Sequence, residues 1–209
     1  MLTFDPFARG YARSLAHPGG NITGIFSRQI ELAAKRVEFI REALPQAHRV
    51  ALLWDSASKD QAAAAQAEAE RLALAADLVE IRGEPPDYTT ALANPSLADH
   101  EPVIVPESPV FVRDQVTIGR LLLEHRLPAI GAAKEDAQAG ALLSYGVSLR
   151  GALREVADYL ARIANGARPS DLPIEQPRSF ELLVNLRTAK ALGIAVPPTL
   201  LARADEVIE

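Results

Sequence analysis

Short apolar runs alternate with longer segments of helical periodicity along this chain. A continuous apolar run such as Arg49–Trp54 predicts a strand covered on both faces. Apolar residues at helical spacing, as in Gln29–Leu44, predict amphipathic helices. The predicted strands are Arg49–Trp54, Leu78–Arg82, Pro102–Val105, Leu127–Gly131, Ala141–Gly146 and Phe180–Leu186. The predicted helices are Gln29–Leu44, Ser58–Ala76, Tyr88–Leu92, Pro109–Arg126, Lys134–Ala139, Leu149–Asn165, Arg187–Leu192 and Thr199–Val207.

This alternation predicts an α/β fold built from βαβ units with a largely parallel sheet. The last third of the chain departs from it. A single helix and a proline-rich segment, Arg168–Arg178, separate the strands Ala141–Gly146 and Phe180–Leu186. We interpret the proline-rich segment as a crossing between two bodies, and this region as a hinge.

Composition and charge indicate a globular protein and argue against nucleic-acid binding, cysteine chemistry and a membrane span. Of 209 residues, 48% are hydrophobic and 23% charged, which is typical of a soluble globular protein with a full core. The net charge of −5 is spread along the chain without a Lys/Arg cluster, so nucleic acid is not expected as a partner. Without cysteine, disulfides, thiolate metal sites and a Cys nucleophile are excluded. No apolar run approaches the roughly 20 residues of a membrane span, and the first residues lack the pattern of a signal peptide.

Candidate chemistry lies at the predicted strand ends. In open parallel sheets, ligands bind outside the carboxyl ends of the strands. Those ends carry Trp54-Asp55, Glu107-Ser108, Ala132–Lys134 and Tyr145-Gly146. Aromatic faces combined with a few polar groups suit a small polar or zwitterionic ligand. Residues of these types at strand ends are more often caps or solvated loop residues than ligand contacts.

Complete catalytic sets are missing from the sequence. Asp55, Glu107 and Lys134 are arranged somewhat as in phospho-acceptor receiver domains, but the paired acids that hold Mg²⁺ there are absent. The Gly19-Gly20 loop lacks the GxGxxG fingerprint, and neither HExxH nor GxSxG occurs. The four histidines, His17, His48, His100 and His125, fall in turns or at helix ends. We therefore predict no catalytic residue, no metal and no cofactor.

Several stretches resemble the substrate-binding proteins of ABC transporters, specifically the family that includes tryptophan- and tyrosine-type binding proteins. GGNITG and PxxLPxEQP are the most specific of these motifs. The similar segments are SLAHPGGNITG (14–24), EALPQAHRVALLWD (42–55), RLPAI (126–130), AGALLSYG (139–146), ANGARPSDLPIEQP (164–177) and FELLVNLRTAKALGIAVPPTLLARADEVIE (180–209).

The resemblance implies a periplasmic-binding-protein-like fold of type I, with two α/β lobes around a cleft that closes on the ligand. It implies that residues 1–24 are a remnant of the first lobe, 25–146 the second lobe, 147–179 a segment on the first-lobe side, and 180–209 a return to the second lobe. Ligand-binding candidates are then Thr23, Trp54, Asp55, Glu107, Ser108, Tyr145 and Gly146.

The resemblance also implies a small-molecule ligand, an ABC permease as partner, and a periplasmic or extracytoplasmic location. If Met1 is the true start, the expected location is cytoplasmic. Family members carry an export signal and most of a first lobe upstream of the segment that matches Asp5–Gly24, so we expect a truncated form.

A helix that lacks its usual lobe would expose an apolar face. Leu153, Val156, Leu160 and Ile163 share one face of the helix 149–165, and burying each is worth roughly 1.5–3 kcal/mol. This predicts a homodimer through that helix. Two other functions stay open: an α/β enzyme acting on a small phosphorylated or sugar substrate, and a protein-interaction module derived from a binding protein.

Overall fold

Strands and helices alternate through most of the chain in the computed structural model, which describes residues 6, 9–93, 97 and 101–209. The strands are β1 (Gly24–Ile25), β2 (Arg49–Trp54), β3 (Ala75–Glu80), β4 (Val103–Ile104), β5 (Ala129–Gly131), β6 (Leu143–Val147), β7 (Ile174–Glu175), β8 (Phe180–Asn185) and β9 (Glu206–Ile208). The helices are α1 (Gln29–Ala43), α2 (Lys59–Arg71), α3 (Tyr88–Leu92), α4 (Pro109–Glu124), α5 (Lys134–Ala139), α6 (Leu149–Ala164), α7 (Leu186–Leu192) and α8 (Pro198–Leu201), with a 3₁₀ turn at Pro169–Asp171.

A seven-stranded sheet in the described residues has the strand order β3-β2-β4-β5-β6-β8-β9. The pairs β2–β3, β2–β4, β4–β5, β5–β6 and β8–β9 are all parallel. Parallel neighbours need a crossover connection, and helices provide it here. The predicted α/β class with a largely parallel sheet is confirmed, and the carboxyl ends of β2, β4, β5 and β6 lie side by side.

The sheet is covered on both faces. Side chains alternate across a strand, so Leu52 enters the core beneath α1 while Leu53 enters the core beneath α4. In α1, Val37 and Ile40 face the sheet and are fully buried. This double covering explains why the central strands are continuous apolar runs.

The predicted helix Ser58–Ala76 is too long, and the predicted strand Leu78–Arg82 starts too late. Helix α2 ends at Arg71, and Ala73 follows it with a φ of +56° in the left-handed region, where a helix cannot continue. Strand β3 then pairs with the whole of β2, from Ala75 opposite Arg49 onward. Pairing with a buried strand overrides the helix propensity of this alanine-rich segment.

The predicted final helix Thr199–Val207 is wrong. Helix α8 ends at Leu201, and the chain then turns to add β9 to the edge of the sheet. Asp205 makes the junction: its amide donates to Leu182 O at 2.9 Å, and its carboxylate accepts from the Leu182 amide at 2.8 Å. The open edge of β8 thus decides the structure of the last residues.

The chain forms two compact units. Unit 1 consists of residues 1–29 and 147–180, and unit 2 of residues 30–146 and 181–209, so the chain passes between them three times. Unit 2 holds nearly all of the large sheet.

Unit 1 contains a small core that the sequence did not predict. Strands β1 and β7 pair in parallel, with Gly24 opposite Ile174. Beneath them Ile25, Leu172 and Tyr159 are buried together, and Tyr159 comes from α6. Runs of two residues carry too little periodicity to be recognised as strands in a sequence.

Helix α6 is apolar on more of its surface than this core covers. Leu149, Leu153 and Leu160 are 54%, 59% and 62% exposed. Val156 and Ile163 are half-buried against the core of unit 1. The apolar face predicted for this helix therefore exists, and a large part of it is exposed.

Replacing Tyr159 with phenylalanine should make the free energy of unfolding less dependent on pH in the alkaline range. The Tyr159 hydroxyl donates to Pro173 O at 2.7 Å, so the variant should lose about 1 kcal/mol at neutral pH. Burial, followed by hydrogen bonding to Glu175, raises the pKa of Tyr159 from 10.0 to about 12. Between pH 10 and 12 the unfolded chain loses this phenolic proton before the folded chain does, so stability falls as pH rises.

The advantage of the original protein over the variant should therefore shrink across that pH window. Urea unfolding of both proteins at several pH values measures it. If the difference in free energy of unfolding between the two proteins stays constant up to pH 12, the pKa of Tyr159 is not raised in the folded protein.

Candidate ligand-binding site

Asp55 and Ser108 link the loops that follow β2 and β4. One carboxylate oxygen of Asp55 accepts hydrogen bonds from the amides of Ala57 at 3.1 Å and Ser58 at 2.9 Å and from the Ser58 hydroxyl at 2.7 Å. The other accepts from the Ser108 hydroxyl. Ser108 also caps α4 by accepting from the Val110 amide at 3.2 Å. Asp55 is 7% exposed, so this carboxylate mainly orders the two loops.

Gln61 holds the main chain of Glu107 in the loop after β4, at the carboxyl edge of the sheet. Its side-chain amide donates to Glu107 O at 2.7 Å and accepts from the Glu107 amide at 3.1 Å. These two bonds fix the backbone while the half-buried Glu107 side chain extends from it. The sequence did not single out Gln61, because a glutamine inside a helix rich in Ala, Gln and Glu is expected to be exposed to solvent.

Trp54 is the single tryptophan of the chain. It ends β2 and is half-buried, and strand alternation places it on the same face as Leu52. Its indole Nε1 is buried and has no hydrogen-bond partner within the described part of the chain. Trp54 therefore offers an aromatic surface at this end of β2 and a spectroscopic probe for the unit that contains it.

Tyr145 and Gly146 form the end of β6. The ring of Tyr145 packs on Phe39 with ring centroids 4.7 Å apart, and burial raises the pKa of its hydroxyl. A Cβ at Gly146 would lie 1.8 Å from Ala132 O, so only glycine fits there. The turn after β5 and the end of β6 are therefore in direct backbone contact.

Arg36 is a residue of this edge that sequence reasoning missed. It lies on α1 and is fully buried, and its Nε donates to Tyr145 O at 2.8 Å. Burial lowers its pKa from 12.5 to about 10, while the opposite charges of Glu107 and Asp136 act the other way. The sequence pattern could have indicated Arg36, because it follows Ala33 by three residues and so falls on the apolar face of a predicted amphipathic helix.

Thr23 is the one sequence candidate that belongs to unit 1, whereas the other six belong to unit 2: Trp54, Asp55, Glu107, Ser108, Tyr145 and Gly146. Its hydroxyl lies 2.8 Å from Leu172 O and 3.1 Å from Pro173 O, and it donates to this pair of carbonyls. It thereby ties β1 to the segment before β7.

Lys134 and the histidines are the other residues that the sequence singled out. Lys134 forms an ion pair with Glu206, whose hydrogen bond raises the pKa of Lys134. His17 and His48 are exposed, and His100 falls outside the described residues. Within the described ranges, no group of three or more His, Cys, Asp or Glu residues could hold a metal ion. None of the helices described is both long and apolar enough to span a membrane.

A parallel sheet whose carboxyl edge carries aromatic, hydroxyl and carboxylate groups, in a chain that passes three times between two units, has the architecture of a periplasmic-binding-type receptor. The family model "ABC transporter substrate binding protein" matches residues 1–208. The chain belongs to this family, as the sequence motifs predicted.

One curated relative is the tyrosine-binding protein of Clostridioides difficile (strain R20291), 23% identical over 194 residues. The match covers 91% of the present chain and 55% of that protein. The chain thus spans about half the length of this relative.

Solved structures show the same fold. An ABC domain in complex with L-Trp from Streptococcus pneumonia gives a TM-score of 0.86 at 23% identity, covering 99% of this chain and 72% of the other. A conserved domain protein from Vibrio cholerae gives 0.83 at 23% identity, with coverages of 97% and 68%. A ligand-free, open substrate-binding protein with adhesive properties from Clostridium difficile gives 0.73 at 20% identity, with coverages of 100% and 69%.

Proposed function

We propose that this chain captures a small organic solute, in the first place an aromatic amino acid, for uptake by an ABC transporter. The family match over residues 1–208 is the observation that carries the proposal. The choice of ligand is supported by one relative named as a tyrosine-binding protein and by a similar structure that holds L-Trp.

The carboxyl edge of unit 2 offers chemistry for such a ligand. Trp54 and Tyr145 supply aromatic surface, which contributes most of the contact area in sites of this kind. The Glu107 carboxylate can pair with an ammonium group, and the Ser108 hydroxyl can hydrogen-bond a ligand. Asp55 contributes by ordering the loop, and its direct pairing with an ammonium stays a prediction, as does a ligand contact by Thr23.

The transport role implies an ABC permease as partner and a location outside the cytoplasmic membrane, and both are part of the proposal. No chemical step is assigned to the chain. If it is instead an α/β enzyme, incubation with a bound solute should convert it, and mass spectrometry of the recovered solute would detect the product.

Calorimetric titration with L-tyrosine, L-tryptophan, L-phenylalanine, L-leucine and L-glutamate tests the proposed ligand class. We expect the three aromatic amino acids to bind and glutamate to fail. The fluorescence of Trp54, excited where tyrosine does not absorb, should change with L-phenylalanine. A folded protein that gives no heat and no fluorescence change with any of them would refute capture of these solutes by this chain.

Tyr145→Ala should weaken binding of an aromatic amino acid by about 5- to 150-fold, because an aromatic side chain in a binding site is worth about 1–3 kcal/mol. Tyr145→Phe keeps the ring stacked on Phe39 and serves as the matched control. We expect it to retain most of the affinity. Equal affinities of the Ala variant and the original protein would remove Tyr145 from the site.

We also propose that a second copy of this chain binds through α6 and forms a homodimer. The exposed residues Leu149, Leu153 and Leu160 support it, since steps of four and seven place them on one helix face. A second copy can cover this face with its own α6 in a two-fold arrangement. Sedimentation velocity should give a dimer that Leu153→Glu converts to a monomer, whereas a compact monomer at micromolar concentration would contradict it.

A further inference from the structure

The side chain of Arg36 is the largest that is fully buried in the described residues. It extends from α1, where Ala33, Val37 and Ile40 face the core of the sheet. Burying a guanidinium among such residues is costly, because the charge loses its hydration. Hydrophobic residues of similar volume are often as stable or more stable at such positions. Fold stability alone is therefore a weak reason for an arginine here.

Arg36 makes contacts at the candidate ligand-binding edge. Its Nε donates to the carbonyl of Tyr145, the last residue before Gly146. A Cβ added to Gly146 would lie 3.8 Å from Nη2 of Arg36 and 1.8 Å from Ala132 O. The guanidinium therefore lies where the end of β6 meets the turn after β5.

Asp136 holds the same turn from the other side. Its carboxylate accepts hydrogen bonds from the amides of Ala132 at 2.8 Å and Ala133 at 2.9 Å. The charges of Asp136 and Glu107 are close enough to Arg36 to favour its charged form. Glu107 follows β4, Asp136 follows β5 and Tyr145 lies within β6, so Arg36 interacts with residues of three adjacent strands or of the turns after them.

We propose that Arg36 is a positioning residue that preorganises the end of β6 and the turns after β4 and β5 for the ligand. It is buried and touches no ligand itself; it acts through the carbonyl of Tyr145 and through the charges of Glu107 and Asp136. Loops that are ordered before binding lose less entropy when the ligand arrives, so their order contributes to affinity. The ligand role of this edge rests on the function proposed above, whereas the order of the loops does not.

Hydrogen-exchange mass spectrometry on the ligand-free protein tests the order of the loops. Arg36→Met should speed exchange by about tenfold or more in peptides that cover 105–108, 131–136 and 143–147. Arg41→Met is the matched control: it lies on the same helix, but its side chain donates to Ala47 O at the carboxyl end of α1. If the three segments exchange alike in both variants, Arg36 does not position them and the proposal is refuted, whether or not a ligand is known.

Calorimetry with L-tyrosine and L-tryptophan tests the consequence for binding. We expect the affinity of Arg36→Met to fall by about tenfold or more and that of Arg41→Met to stay unchanged. Removing Arg36 takes an opposite charge away from the half-buried Asp136, so the single variant is expected to be less stable. The double variant Arg36→Met/Asp136→Asn removes this charge while its amide oxygen still accepts from the turn.

The double variant separates positioning from stability. If it regains the original free energy of unfolding but still binds at least tenfold more weakly, Arg36 acts on the site. If affinity returns together with stability, its role is only structural and the proposal is wrong. An original protein that binds neither amino acid would refute the proposed function instead, and hydrogen exchange would still decide whether Arg36 orders the loops.

Discussion

Replacing Gly146 with alanine is expected to destabilise the protein by at least about 3 kcal/mol, beyond the usual range for an overpacked core. The added Cβ would lie 1.8 Å from Ala132 O. The position of Cβ is fixed by the main chain of residue 146 and Ala132 O is itself a main-chain atom, so no side-chain rotation can relieve the overlap. The end of β6 and the turn after β5 would have to separate, so ligand affinity should fall as well.

Urea unfolding measures the loss in Gly146→Ala, and Gly20→Ala is the matched control. Among the described residues, a Cβ at Gly20 meets only Tyr11 O, at an ordinary 3.5 Å. That substitution should change the free energy of unfolding by no more than about 1 kcal/mol, because alanine also restricts the unfolded chain. If the Gly146 variant unfolds at the same urea concentration as the control, the backbones are not in contact at this point.

Asp55→Ala is expected to cost about 3 kcal/mol. Asp55 accepts four hydrogen bonds, and the hydroxyls of Ser58 and Ser108 are buried when they donate to it. Without the carboxylate the two buried hydroxyls lose the acceptor of their short hydrogen bonds, and each buried group left unpaired costs about 1–3 kcal/mol. The expected total of about 3 kcal/mol is lower than the upper end of these costs, because the loops can relax and let water reach some of the groups.

Asp60→Ala removes an exposed carboxylate from the first turn of α2 and controls for the change in net charge. Its expected cost is below about 1 kcal/mol, the range of a single charge near a helix N-terminus. Thermal and urea unfolding of both variants make the comparison. Equal stabilities would mean that the hydrogen bonds of Asp55 do not hold the loops after β2 and β4.

The central strands and their order along the chain could be predicted because burial on both faces leaves a direct trace in the sequence. The predicted bounds of β2 and α5 agree with the structure, and α1 ends one residue early. Errors occur where pairing overrides local propensity, at Ala75–Ala76 in β3 and at Glu206–Ile208 in β9. The hydrogen bonds that decide these segments join residues far apart in the chain, which a local pattern does not record.

The candidate site divides in the same way. Strand-end logic found Trp54, Ser108 and Tyr145, because the carboxyl ends of parallel strands meet at one edge. It did not find Arg36 or Gln61, which reach that edge from helices. Their roles come from the distance between side chain and backbone, and helical spacing by itself makes them look like ordinary polar positions.

By itself the sequence determined the family, the α/β class and the edge where a ligand is expected, because apolar periodicity and short motifs are local properties. Only the tertiary structure decided which polar groups at that edge are already bound within the protein and which side chains hold its turns. Burial and hydrogen bonding depend on segments brought together from more than a hundred positions apart, as Arg36 and Tyr145 are.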